Sequence, residues 1–236
     1  MPNLIQSNNF QDGKLLLIDK ELNWTSFDAV NKIRILLKTR LGIKKIKVGH
    51  AGTLDPLATG LIIVCTGKMT KQITGFQDLQ KEYEAVLKLG ETTPSFDLES
   101  AIDKSYPTDH ITKEKLLDVL KKFVGEIDQV PPLFSAKYIN GTRAYEYARK
   151  GSELELKSQK IKIFSIDLIN FAMPFVKIKV SCSKGTYIRS LVRDIGCALE
   201  SGAYLAELRR TRIGQYSVND AISINEFEKS FDSNVT

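Results

Sequence analysis

Histidine is nearly missing from this chain. His50 and His110 are the only two in 236 residues, so a histidine-built metal site or a histidine-driven triad has little to work with. Cysteine is scarce as well: Cys65, Cys182 and Cys197 stand far apart in apolar settings, a pattern of neither a disulfide framework nor a zinc site. No apolar run approaches the length of a membrane span, since the longest, residues 61–65 and 15–18, are strand-sized. Residues 1 to 13 are polar and lack the basic-then-apolar order of a secretion signal. A dinucleotide fingerprint is absent too. Thr66-Gly67-Lys68 invites a phosphate-loop reading, but the preceding glycine is Gly60 and Met69 stands where Ser or Thr is required. These absences predict a cytoplasmic protein that uses no cofactor or metal and touches no membrane. Its chemistry must come from carboxylate, tyrosine, lysine and arginine.

What is present is an ordinary globular composition with an uneven charge. Apolar residues make up 42% and charged residues 26%, which is enough to bury a core. The net charge is +6. Between Lys32 and Lys47 there are seven cations (Lys32, Arg34, Lys38, Arg40, Lys44, Lys45, Lys47) and no acid. A second group, Lys184, Arg189, Arg193, Arg209, Arg210 and Arg212, lies later in the chain, whereas residues 97–109 and the tail after Asp220 lean acidic. Either basic cluster alone fits a solvated helix face as well as a phosphate track. Two clusters flanking a glycine-rich acidic loop favour nucleic acid.

Periodicity predicts a strand at 14–18 and a helix from Thr25 or Ser26 to about Lys38, with Phe27, Val30, Ile33 and Leu37 inward. Further strands are expected at 46–48, 61–65 and 83–89, and a short helix at 70–76. A helix at 113–123 behind Thr112 comes next, then strands at 160–169 and 175–181, a helix at 188–199 and extended chain over 204–217. Residues 143–150 read as a short helix closed by Gly151. Without regular βαβ alternation, the class is α+β with a largely antiparallel sheet.

Between the second and third strands lies the most informative stretch, Val48 to Ile62. It holds three glycines, His50 and one carboxylate, Asp55, and nothing in it alternates as a core would. Glycine permits sharp turns and close backbone approach, and Asp55-Pro56 directs the chain after the acid. An isolated Asp-Pro is most often a self-capping turn, but an acid held in such a segment also suits a nucleophile or base.

Gly49-His50-Ala51-Gly52-Thr53-Leu54-Asp55-Pro56-Leu57-Ala58-Thr59-Gly60 resembles the signature of the TruB-type tRNA pseudouridine synthases, which isomerise the T-loop uridine at tRNA position 55. The resemblance continues through Lys71, Tyr83, Gly90 to Thr93, Gln129-Val130-Pro131-Pro132 to Lys137, Gly141 to Glu146, Lys184 to Arg189 and Leu208-Arg209-Arg210. It thus covers roughly residues 15–217, and it implies the pseudouridine synthase fold, a central mostly antiparallel mixed sheet flanked by helices.

The resemblance also implies roles. Asp55 is the catalytic carboxylate, by attack at C1′ or by removal of a sugar proton. Arg189 is its arginine partner, which keeps a buried acid ionised. Tyr83 packs on a flipped-out uracil, although periodicity alone makes it a strand aromatic. His50 fills the space the base leaves or orders the turn. Tyr187 and Leu208 wall the pocket and Asp97 orients. Lys20 and Lys71, with the Lys32–Lys47 stripe, hold phosphates. Residues 131–153 correspond to a mobile insertion that clamps RNA, although two prolines and a short charged helix equally suit a rigid connector.

The chain departs from the pattern in three places. Residues 19–26, Asp-Lys-Glu-Leu-Asn-Trp-Thr-Ser, lack the family's Pro and Gly; Asn23 can carry a left-handed turn in place of glycine. Pro94 and Phe96 stand where the motif around Asp97 is usually polar. About twenty residues follow Gly214, too few for the C-terminal RNA-binding domain common in relatives, so a single catalytic domain over 1–236 is expected. The resulting expectation is a monomeric tRNA isomerase with no obligatory protein partner and an accompanying role in tRNA folding. A synthase working inside a guide-RNA complex and a non-catalytic RNA binder are the alternatives.

Overall fold

The computed structural model describes residues 10–134, 138–139, 142–143 and 156–232. Along the chain the elements are β1 (Leu15–Lys20), α1 (Ser26–Leu41), β2 (Val48–His50), β3 (Ala58–Thr66), a 3-10 turn (Gly67–Gln72) running into α2 (Ile73–Asp78), β4 (Lys81–Leu89), β5 (Glu91–Thr92), β6 (Lys104–Ser105), α3 (Lys113–Lys122) and β7 (Gly125–Gln129). Then follow β8 (Tyr138–Ile139), β9 (Thr142–Arg143), β10 (Gln159–Ala172), β11 (Phe175–Cys182), α4 (Ile188–Ala198), β12 (Ala203–Ile213), β13 (Tyr216–Ser217) and α5 (Ile224–Lys229). Two compact units emerge, one of residues 1–83 with 209–236 and one of residues 84–208.

In the first unit β3 lies between β1 and the second half of β12, with β2 also paired to β3 and β13 to β12. The β1–β3 register runs antiparallel from Leu15 opposite Cys65 to Lys20 opposite Gly60. β3 is buried almost throughout, which explains why residues 61–65 read as an unbroken apolar run. Ala51, Leu61, Ile63, Cys65, Ile213 and Val218 form a core beneath it. Burial pushes the Cys65 thiol up to about 11, so this cysteine is an inert packing residue.

α1 begins at a capping box: the Thr25 hydroxyl accepts from the Asp28 amide while the Asp28 carboxylate accepts from Thr25. It ends at Gly42 in the left-handed region (φ 65°). Its buried face is Ala29, Val30, Ile33, Leu36 and Leu37. Phe27, expected inward, is 62% exposed, with the Arg34 guanidinium 6.0 Å from its ring centre. α5, unforeseen although Ser223 and Glu226 spell a capping box, buries Phe227 edge-on against Phe10.

In the second unit the order is the first half of β12, then β4, β11, β10 and β7. β4 alternates as expected, with Tyr83, the last residue of the first unit's N-terminal stretch, and then Ala85, Leu87 and Leu89 inward. On β11, Val176, Ile178 and Val180 are likewise buried. β10 pairs antiparallel with β11 and with β7. α3 starts at Thr112, whose hydroxyl accepts from the Lys115 amide, and buries Leu116, Val119 and Leu120. Parallel bridges at Ile18–Ile222 and Asp97–Leu205 give the pairing its mixed character. The helix expected over 143–150 and most of the insertion at 131–153 lie outside the described residues. No helix among the described residues is long and apolar enough to cross a membrane.

Candidate functional site

The Asp55 loop belongs to the first unit, where backbone and side-chain bonds fasten it at almost every step. The Ala51 amide donates to the Ile63 carbonyl at 2.9 Å. The Leu54 amide donates to the Ser26 hydroxyl at 2.8 Å, and that hydroxyl donates back to the Leu54 carbonyl at 3.1 Å. Ser26, weighed above as a helix cap, therefore serves the loop, and Thr25 alone caps α1. Past the acid, the Asn23 amide donates to the Pro56 carbonyl at 2.9 Å. Asn23 does stand in the left-handed region (φ 65°), so asparagine carries this turn. The Ala58 amide closes a turn onto the Asp55 carbonyl at 3.0 Å. Asp55 itself is half-buried at the apex.

Two cations lie inside this scaffold. Lys20 is 1% exposed and its ammonium donates to the carbonyls of Trp24 (2.7 Å), Glu21 (2.9 Å) and Pro56 (3.5 Å). It is buried where no RNA phosphate can be held at the surface, which corrects the expectation for this residue. A lysine reads as solvated by residue type, yet Lys20 follows Leu16 and Ile18 on the buried face of β1, where the loop's carbonyls receive it. Burial lowers its pKa to about 8, the charge of Asp55 draws it back up, and Arg210 presses it down. Arg210 is the second cation, given no site role above although it stood in a basic cluster and in the Leu208-Arg209-Arg210 motif.

His50, at the end of β2, is partly buried, and its Nδ1 has no hydrogen-bond partner among the described residues. Burial lowers this imidazole below its ordinary range; the Gly52 backbone opposes the shift and the charge of Arg210 adds to it. Tyr83 is buried on β4, and Lys71 is exposed at the end of the 3-10 turn. The basic stripe on α1 is partly engaged: Lys32 pairs with Glu228 at 2.8 Å and Arg40 with Asp232 at 3.2 Å. Surface pairs of this kind contribute about 0–1 kcal/mol each, so they hold these cations only loosely.

In the second unit Arg189 sits in the first turn of α4. It is 4% exposed, as Asp97 is at 5%, and their charged groups approach to 3.4 Å. The same Arg189 nitrogen donates to the Ser95 carbonyl at 3.4 Å. Asp97 is fixed in turn, for its carboxylate accepts from the Glu99 amide at 2.9 Å and its carbonyl from the Thr93 hydroxyl at 2.6 Å. The apolar Phe96 does not disable this motif. It takes a positive φ of 63°, with the Arg193 guanidinium 4.8 Å from its ring centre, while its carbonyl accepts from Leu205 at 2.9 Å.

α4 has no side-chain cap. Gln129, fully buried and absent from the predicted site, fixes the residue that precedes the helix: its side chain accepts from the Tyr187 amide at 2.8 Å and donates to the Tyr187 carbonyl at 3.1 Å. The Ser190 hydroxyl adds a bond to the Val130 carbonyl at 2.8 Å. A glutamine two residues before Pro131-Pro132 was the available signal. Leu208 is buried on β12. The later basic group thus divides: Arg189 and Arg210 are internal, Arg209 grips Asp19 through both oxygens at 3.0 and 2.7 Å, and Lys184 and Arg212 remain exposed. No group of three or more possible metal ligands occurs among the described residues.

This architecture is that of the pseudouridine synthases. The chain superposes on one chain of a crystallised Cbf5–Nop10–Gar1 complex with a TM-score of 0.72 and 27% identity, covering all of this chain and 60% of that one. For an H/ACA ribonucleoprotein bound to a substrate RNA containing 2′-deoxyuridine, the TM-score is 0.66 and the identity 26%, over 94% of this chain and 54% of that one. Against these solved structures the chain therefore spans a little over half of the other protein's length. Family models place it more narrowly. Residues 38–188 match the TruB family pseudouridylate synthase N-terminal domain, and residues 189–234 match the tRNA pseudouridylate synthase B C-terminal domain. The chain belongs to the TruB family. Among its relatives, tRNA pseudouridine synthase B of Phocaeicola vulgatus is 56% identical over 95% of both chains. The enzyme of that name from Parabacteroides distasonis is 58% identical over 96% of this chain and 97% of the other.

Proposed function

We propose that this chain isomerises the T-loop uridine at tRNA position 55 to pseudouridine, with Asp55 as the catalytic carboxylate. The observation that carries the reading is the loop itself: a half-buried acid at the apex of a turn, fastened by hydroxyl, amide, ammonium and guanidinium donors, in a chain of the TruB family. The reaction breaks the uridine N1–C1′ bond, turns the base and joins C5 to C1′. The C5 proton is lost and N1 gains one, so atoms and electrons balance without an outside group. Asp55 serves either at C1′ or on a sugar proton. Arg189 is the arginine of the site, oriented by Asp97. Tyr83 supports the flipped base, His50 takes its place in the RNA loop, and Tyr187 and Leu208 line the uracil pocket. Lys71, with the unpaired part of the α1 stripe, meets phosphates.

We further read residues 131–153 as the insertion that closes on RNA, and the chain as one catalytic domain that acts without an obligatory protein partner. The relatives that match over almost the whole of both chains carry tRNA in their names, which favours tRNA over a substrate presented by a guide RNA. The test is tritium release. A tRNA transcript labelled at uridine C5, incubated with the protein and EDTA under conditions that keep the tRNA folded, is expected to lose one label per tRNA to water. Label retained on a tRNA that the protein binds would sink the reading.

A further inference from the structure

Arg210 is the largest fully buried side chain in the described residues, with 1% of its surface exposed, and no carboxylate among them lies within ion-pair distance of it. A buried guanidinium without a counter-ion is costly, so what holds it there is informative. All three of its nitrogens point to backbone oxygens of one segment. Nε donates to Leu61 at 2.7 Å, one terminal nitrogen to Thr53 at 3.4 Å and the other to Gly52 at 3.2 Å. These acceptors bracket Asp55, two before it and one after. The backbone of Arg210 is equally close: a Cβ on Gly60 would stand 2.3 Å from the Arg210 carbonyl oxygen. Gly60, at φ 106°, is thus required both for its conformation and for this approach.

We propose that Arg210 is a positioning residue for the reaction: a planar clamp that ties the two arms of the Asp55 loop together and so sets where the carboxylate stands. The proposal rests on Asp55 being the catalytic acid. Guanidinium suits the task because its fork reaches several oxygens in one plane, whereas an ammonium is a single point charge. Lys20 marks the division of labour. It binds the Pro56 carbonyl and the turn at residues 21–24, on the far arm only, and the two cations repel each other. Arg210 alone spans both arms.

The test compares Arg210→Lys and Arg210→Gln with the natural chain in single-turnover isomerisation, tRNA binding and hydrogen exchange of the amides from Ala51 to Leu61. A misplacement of the acid by an ångström costs about 100-fold in rate. The expected result is therefore a rate loss of about that size in Arg210→Lys, with tRNA affinity and overall fold retained and loop exchange accelerated. Arg210→Gln, which removes the buried charge, keeps the experiment decisive if the lysine variant does not fold. A folded variant of either kind within about threefold of the natural rate would overturn the proposal. So would a loss explained wholly by weaker tRNA binding. Should the natural chain itself yield no product, the isomerase reading fails, and loop exchange alone decides whether Arg210 is the clamp.

Discussion

Arg189 and Arg210 are both buried arginines, one in each unit, and they are held in opposite ways. Arg189 faces a carboxylate, Asp97, at 3.4 Å. Arg210 faces only carbonyl oxygens at 2.7 to 3.4 Å. Each also braces an irregular segment, since Arg189 bonds the Ser95 carbonyl and Arg210 bonds Gly52 and Thr53. The difference lies in how each fails. An ion pair that loses its acid gives up a charge–charge contact in a buried site, so the damage appears as lost stability. A carbonyl clamp that loses its fork frees a loop, so the damage appears first in the rate.

The largest stability effect is expected on the ion-paired side. Asp97→Ala should cost about 3–5 kcal/mol, the usual loss when one partner of a buried pair is removed. Urea unfolding measures it, and a loss below about 1 kcal/mol would show that the Arg189–Asp97 pair is not what steadies this unit. On the other side the charge is regulated by protons. With its pKa held at about 8 by burial, folded Lys20 releases a proton that the unfolded chain keeps until about pH 10.5. The unfolded state binds more protons in that window, so the Lys20 contribution to stability rises with pH between 8 and 10.5. The increase should be about 1–3 kcal/mol after allowance for loop relaxation. The natural chain should gain on Lys20→Met as pH climbs through this range; a flat difference in melting temperature contradicts the assignment.

Smaller effects sharpen the picture of the loop. Ser26→Ala removes two bonds to Leu54 and leaves a buried amide unsatisfied, at about 1–2 kcal/mol, less than Asp97→Ala. Thermal melting checks the order of the two. Smallest is Asn23→Gly, expected within about 0.5 kcal/mol of the natural chain, because glycine adopts the same left-handed turn freely. Asn23→Val should cost about 1–2 kcal/mol for the same reason.

Much of this was legible in the residues. Glycine density and lack of alternation exposed the Asp55 loop, alternation exposed β4 and β11, and asparagine's tolerance of the left-handed region anticipated the turn at Asn23. The buried cations were not legible. Lys20 stands in alternation with buried Leu16 and Ile18, and Arg210 with buried Leu208, but lysine and arginine read as solvated by residue type, and the carbonyls that receive them are assembled only in the folded loop. Phe27 kept the helical period yet stays in solvent, because period specifies a face without saying where that face stops being covered. Gln129 escaped for a different reason: a polar residue at the end of a strand gives no sign of burial, and its partner Tyr187 is distant in sequence.

The most direct test of the central claim is to map pseudouridine at single-nucleotide resolution in an unmodified tRNA transcript after treatment with the natural chain or with Asp55→Asn. The account predicts modification at the T-loop uridine by the natural chain, and at least a 10,000-fold slower reaction, on the order of a lost nucleophile, by a variant that still binds tRNA. Turnover retained in Asp55→Asn, or folded tRNA bound by the natural chain and left unmodified, would contradict it.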